Sequence, residues 1–211
     1  LRYRIADSEI DQPTAINCRR LRPPQSLLAA SGLTLAAFRT ALATAFQQWR
    51  DVADITFVEA AEGQPAEIVI GEQTDPTGFA FTNVELGEKT TGRVRPIIGA
   101  SICLNPEKAW KIGYDGNLTV YDLVHTLTHE IGHVIGLDHP SGRGHMMSFR
   151  YSEERAGLSE GDRLGAVAIY GASRLRSLSA AETAPVPPGT NMVRQSVTTI
   201  IGRSIDGNSA E

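Results

Sequence analysis

The sequence predicts an α+β fold, with helices packed on a mostly parallel sheet, and three patterns predict it. Residues 1–5 (LRYRI) alternate apolar and basic side chains, as a half-buried strand does. Short β-branched runs at 55–58 and 66–70, parted by a turn with glycine and proline, repeat that signal. Between the first strand and the run at 55–58, Leu35, Phe38, Leu42, Phe46 and Trp49 recur at threes and fours, the period of an amphipathic helix. Strand, helix, strand in that order favours a right-handed crossover to a parallel neighbour.

In chain order, residues 7–32, with Pro13, Pro23 and Pro24, read as a long irregular connection. Thr34 can cap the helix that follows, whose aromatics read as core. Residues 71–99, rich in glycine, threonine and charge, read as surface loop, and 101–104 as a strand ended by Asn105-Pro106. Thr119 with Asp122 forms a capping pair for a helix from about 120 to 135. Ser159 and Asp162 take the N-cap and N3 positions of a last helix that runs through Val167 and Ile169 to Tyr170. From Ala172 the composition shifts. Residues 184–189 (APVPPG) read as an extended linker, and 193–205 mix apolar and polar residues without an assignable element.

The chemistry concentrates in residues 129–139, HEIGHVIGLDH. His129 and His133 are four apart, so on a helix they stand one turn above the other on one face. Two imidazoles can converge there on one ion, and Glu130 can reach the same open position. Gly136 suits the positive φ of a chain leaving a helix, and the turn brings His139 back as a third ligand. Three neutral imidazoles with one open position are the pattern of a catalytic zinc rather than a closed structural one. Val134, Ile135 and Leu137 set the motif in apolar surroundings, unlike a helix that merely carries solvated histidines. His125 lies a further turn back on the same stripe. With three ligands already in place, it reads as a core histidine or a support to the ligands.

These residues resemble the metzincin metalloproteases, whose extended zinc motif HExxHxxGxxH precedes a Met-turn. The turn is His145-Met146-Met147-Ser148-Phe149-Arg150-Tyr151, a short step past His139 that is similar to the matrixin branch. The resemblance extends to the first strand (L-x-Y-R-I) and to the last helix (LSxxDxxGxxxLYG), covering about 1–171. Phe149 in place of the matrixin proline and Pro140 after the third histidine depart from it. The resemblance implies a metzincin fold with a twisted, mostly parallel five-stranded sheet and two long helices. An upper subdomain of about 1–139 and a lower one of 140–171 would form the catalytic domain, with 172–211 as a tail or linker. It further implies a secreted zinc endopeptidase acting on proteins or peptides, with Glu130 as general base and Met147 as an apolar floor under the imidazoles. Ser101, Ile102 and Cys103 would lie on an outer strand that pairs with extended substrate, and Phe149 and Tyr151 would border the S1′ pocket.

One zinc is expected, held by His129, His133 and His139. All five histidines fall between His125 and His145, so the second, structural zinc of animal matrixins lacks its ligands. Calcium is left open: the acidic cluster after the outer strand has become Asn105-Pro106-Glu107-Lys108, poor in hard oxygen ligands. Cys18 and Cys103 are compatible with one disulfide and equally with two separate thiols, because sequence does not supply their distance. A net charge of −4 over 211 residues gives no basic field for nucleic acid or an anionic membrane. No apolar run has the length of a membrane-spanning helix, and a monomer is expected. Two other functional classes compete: a binding module that keeps the metal site as a relic, against which Glu130 stands, and a protease held latent by its own tail.

Overall fold

The aromatic stripe at 38–49 is buried, and the rest of the domain is arranged around it. The computed structural model describes residues 1–61, 63–88 and 95–174. In chain order they form β1 (Arg2–Ile5), β2 (Ile10–Asp11), β3 (Arg20–Arg22), α1 (Gln25–Ser31), α2 (Leu35–Arg50), β4 (Val58–Glu59), β5 (Ile68–Gln73), β6 (Ala80–Leu86), β7 (Ile97–Leu104), β8 (Trp110–Lys111), β9 (Tyr121–Asp122), α3 (Leu123–Val134) and α4 (Glu160–Tyr170). Thr34 caps α2 by accepting from the Ala37 N–H, as expected. Phe38, Leu42, Phe46 and Trp49 are buried, while Leu35, in the first turn, is exposed.

Five strands lie in the order β4-β1-β5-β7-β6, all parallel except β6, which runs antiparallel to β7. These five match the expected mostly parallel set, but the sheet as a whole has seven strands. The β2–β3 hairpin extends it, β3 pairing antiparallel with the end of β5. Ile68, Ile70, Ala100, Ile102 and Leu104 join α2 and α3 in the main core. Strand alternation turns Val69 and Cys103 to the opposite face, where Ala6, Cys18 and Leu21 form a second, smaller cluster.

Several expectations are corrected. Residues 7–32 are not irregular throughout, since they contain β2, β3 and α1. The proline pair marks an entry into α1, where Pro24 is the N-cap and proline costs no helical hydrogen bond. Residues 71–99 hold the whole of β6, whose Thr82, Asn83 and Glu85 make a half-exposed strand look like loop. β7 is an interior strand: Ser101, Ile102 and Cys103 pair with Val69, Ile70 and Gly71 on one side and with Asn83, Thr82 and Phe81 on the other. All three side chains are buried. Asp122 alone caps α3, accepting from the His125 N–H, whereas Thr119 bonds to Asn117.

The cysteines are joined as a Cys18–Cys103 disulfide with Cα atoms 5.6 Å apart. It ties the turn between β2 and β3 to the interior strand. At the other end, Ala172 bridges to Ala53 and Arg174 pairs with Asp54, so the body of the domain continues past 171 to at least 174. The linker at 184–189 and the segment at 193–205 lie outside the described residues.

Candidate active site

Helix α3 carries His129 and His133 on one face, and Gly136, at φ 93°, turns the chain so that His139 returns to them. The three Nε2 atoms form a triangle with every side 3.1 Å. His129 Nδ1 lies 2.8 Å from the Met146 carbonyl, and His133 Nδ1 lies 2.8 Å from the Leu137 carbonyl. A carbonyl only accepts, so each Nδ1 carries its proton and each Nε2 presents a lone pair. Burial holds the His129 pKa down to about 4 and lowers that of His133, which favours the neutral, ligating form.

Lone pairs facing one another at 3.1 Å repel unless a cation lies between them. A tetrahedral zinc with Zn–N bonds of about 2.0–2.1 Å has ligand edges of about 3.3–3.4 Å, close to this spacing. The donor set therefore fits zinc, and it is the one cluster of this kind among the described residues.

Glu130 is buried beside the triangle, and desolvation raises its pKa to about 7 despite a hydrogen bond from Thr82 that works the other way. The Thr82 hydroxyl stands 2.7 Å from Glu130 Oε2 and 3.0 Å from the Glu130 carbonyl. Thr82 belongs to β6, within the stretch that reads as loop. Only the recognition of β6 as a strand facing α3 could have pointed to it.

The turn below α3 is held from α4. Ser159 and Asp162 make the expected capping box. Asp162 also accepts from the backbone N–H groups of Met146 and Met147, at 2.8 and 3.1 Å. One carboxylate thus fixes the turn whose Met146 carbonyl orients His129. Met147 is buried against Gly132, between the two helical histidines: a Cβ built there would lie 2.2 Å from Met147 Sδ and 2.9 Å from Trp49 Cζ2.

A cleft of about 810 Å³ opens over the triangle, bordered by β6 on one side and by Phe149–Tyr151 on the other. Tyr151 stacks on Tyr121 at 4.6 Å, and Tyr121 stacks on Phe79 at 3.9 Å, giving the cleft an aromatic wall. The Tyr151 hydroxyl accepts from the Asp122 N–H and donates to Glu153, which locks the ring. Phe149 is 81% exposed, with its ring 5.4 Å from that of His139. His125 stands apart from the triangle, hydrogen-bonded through Nδ1 to the Tyr114 hydroxyl at 2.7 Å, and burial lowers its pKa. Of the residues expected at the site, the three histidines, Glu130, Met147, Phe149 and Tyr151 come together there. Ser101, Ile102 and Cys103 do not reach it.

Residues 27–171 match the family profile described as Matrixin. Horse interstitial collagenase is 29% identical over 167 residues, covering 77% of this chain and 34% of that protein. Human matrix metalloproteinase-23 is 32% identical over 146 residues, covering 63% and 37%. Metalloprotease AprA of Pseudomonas entomophila (strain L48) is 35% identical over 99 residues, covering 46% and 19%. The chain spans about a third of the length of the collagenases it matches.

Proposed function

Given that the chain belongs to the matrixin family, we propose that it is a zinc-dependent endopeptidase hydrolysing peptide bonds in proteins or peptides. The observation that carries this is the triangle of three Nε2 atoms with a buried carboxylate next to it. His129, His133 and His139 would hold one zinc, which, when bound, lowers the pKa of a coordinated water towards about 7 and polarises a carbonyl. Glu130 takes the proton of the attacking water and passes it to the leaving amine. Thr82 holds the carboxylate, and the Met146 and Leu137 carbonyls hold two imidazoles in the ligating tautomer. Met147 serves as the apolar support beneath the helix.

Substrate lies extended along β6, which among the described residues pairs only with β7 and so keeps one edge free. The aromatic wall of Tyr121 and Tyr151 borders the S1′ pocket, the side chain following the cleaved bond entering there. The disulfide suits secretion into an oxidising compartment. Incubation of the purified chain with a denatured-protein peptide library tests the proposal. Cleavage that a chelator abolishes and zinc restores supports it. Absence of cleavage by the zinc-loaded chain, both whole and ending at Arg174, would overturn it; activity only in the shorter form would mark the tail as inhibitory.

A further inference from the structure

β6 has two faces, and only one looks at the zinc ligands. The Thr82 hydroxyl reaches Glu130, so alternation places Phe81 and Asn83 on the opposite face. There Phe81 packs on the second hydrophobic cluster, and the Asn83 side-chain oxygen accepts from the Ile16 N–H at 3.2 Å. The turn between β2 and β3 therefore runs beneath β6. It is held by the Cys18–Cys103 bridge, by Ser101 Oγ donating to Gln12, and by the Gln12 N–H donating to the Arg19 carbonyl. Rigidly mounted on these anchors, Ile16 is 84% exposed, and Asn17 borders the same cleft as the histidines.

A peptide added to the free edge of β6 continues the sheet about 4.7–4.9 Å further out, and its side chains alternate between the two faces. Those on the zinc side meet the catalytic groups. Those on the other side come over Ile16, next to Asn17 at the border of the cleft. The contact at Asn83 lies beyond Thr82 from the Phe79 end, where the Tyr121–Tyr151 wall begins. The loop thus addresses the half of the peptide that precedes the cleaved bond.

We propose that Ile16 and Asn17 form a specificity subsite for an apolar substrate side chain on the N-terminal side of the cleaved bond, carried by a disulfide-anchored loop beneath the edge strand. The proposal rests on the extended binding mode along β6 given above. Peptides of equal length, differing only in Leu or Lys at each of the second to fourth positions before the cleaved bond, test it through kcat/KM. The wild type should prefer Leu by about tenfold at one of these positions, the size of a single apolar pocket contact. Ile16→Asp should reverse the preference at that position towards Lys, with an unchanged unfolding midpoint because the side chain is already exposed. An identical preference in both proteins, or a wild type indifferent at all three positions, overturns the subsite while leaving the peptidase in place. A wild type that cleaves none of the peptides, both whole and ending at Arg174, removes the peptidase assignment itself and the subsite with it.

Discussion

The Thr82 hydroxyl lies 2.7 Å from Glu130 Oε2 and 3.0 Å from the Glu130 carbonyl. A hydroxyl has one hydrogen to give. It can donate to the carboxylate while Glu130 is charged. After Glu130 has taken a proton, it can turn to the carbonyl and accept from the carboxyl. In the proposed mechanism the same contact would serve both halves of a proton transfer without moving the backbone.

Thr82→Val keeps the shape and removes that hydroxyl. Loss of a hydrogen bond to a charged group is worth about 1.5–3 kcal/mol, so kcat should fall roughly tenfold to a hundredfold. KM should stay within about twofold, because the main-chain edge of β6 is intact, and Thr82→Ser should restore most of kcat. Steady-state kinetics decide it; a Val variant with wild-type kcat would show that Glu130 is oriented by other groups.

Gly132 is where helix α3 presses on the turn beneath it. A methyl group there would overlap Met147 Sδ and crowd Trp49. Gly132→Ala should destabilise the domain by about 1–3 kcal/mol, the range for overpacking a filled core. Denaturant unfolding measures it, and an unchanged midpoint would mean that the turn yields freely.

The parts legible in the sequence were those with a local signature. The Ser159–Asp162 capping box, the Thr34 cap and the buried faces of α2 each follow from spacing within one element. The metal triangle is equally local, since a four-residue spacing and one glycine turn assemble it. What escaped depends on partners distant in sequence. β6 and β7 are told apart as edge and interior only by pairing, so the sequence points to 101–104 as the outer strand where the structure has 80–86. The hairpin of β2 and β3 is stabilised by β5 and by a bridge to Cys103, neither of which leaves a mark on residues 7–32 themselves. Thr82 is illegible for the same reason: its contact with Glu130 exists only once β6 lies against α3.

The Cys18–Cys103 bridge closes a separation of 85 residues. Constraining a loop of that size in the unfolded chain is worth about 4.6 kcal/mol in the chain-entropy model. The Cys18→Ser, Cys103→Ser double variant should lose roughly that much in denaturant unfolding, while the histidine face of α3 is untouched. Equal stability of variant and wild type would show that the packing of Ala6, Leu21 and Val69 suffices to hold the hairpin.

Acid should weaken the fold through two carboxylates. Hydrogen bonds from the Arg2 side chain and backbone hold the Glu67 pKa down to about 2. Burial works to raise that of Glu153, but bonds from Lys111, Tyr151 and Gly116 outweigh it and hold it at about 2 as well. Both groups ordinarily titrate near 4.5. Folded values below unfolded ones mean a contribution that is complete above about 4.5 and lost as pH falls towards about 2. Urea midpoints should therefore drop across that window, and Glu153→Gln should reduce the slope. A midpoint independent of pH between about 4.5 and 2 would contradict this.

The most direct test of the zinc endopeptidase itself is metal content and turnover measured together on Glu130→Ala and the wild type. The carboxylate is no ligand, so both proteins should hold close to one zinc per chain, while turnover in the variant falls by about a hundredfold or more. Full peptidase activity in the variant, or zinc lost along with the carboxylate, would contradict the assignment of Glu130 as general base beside a three-histidine site.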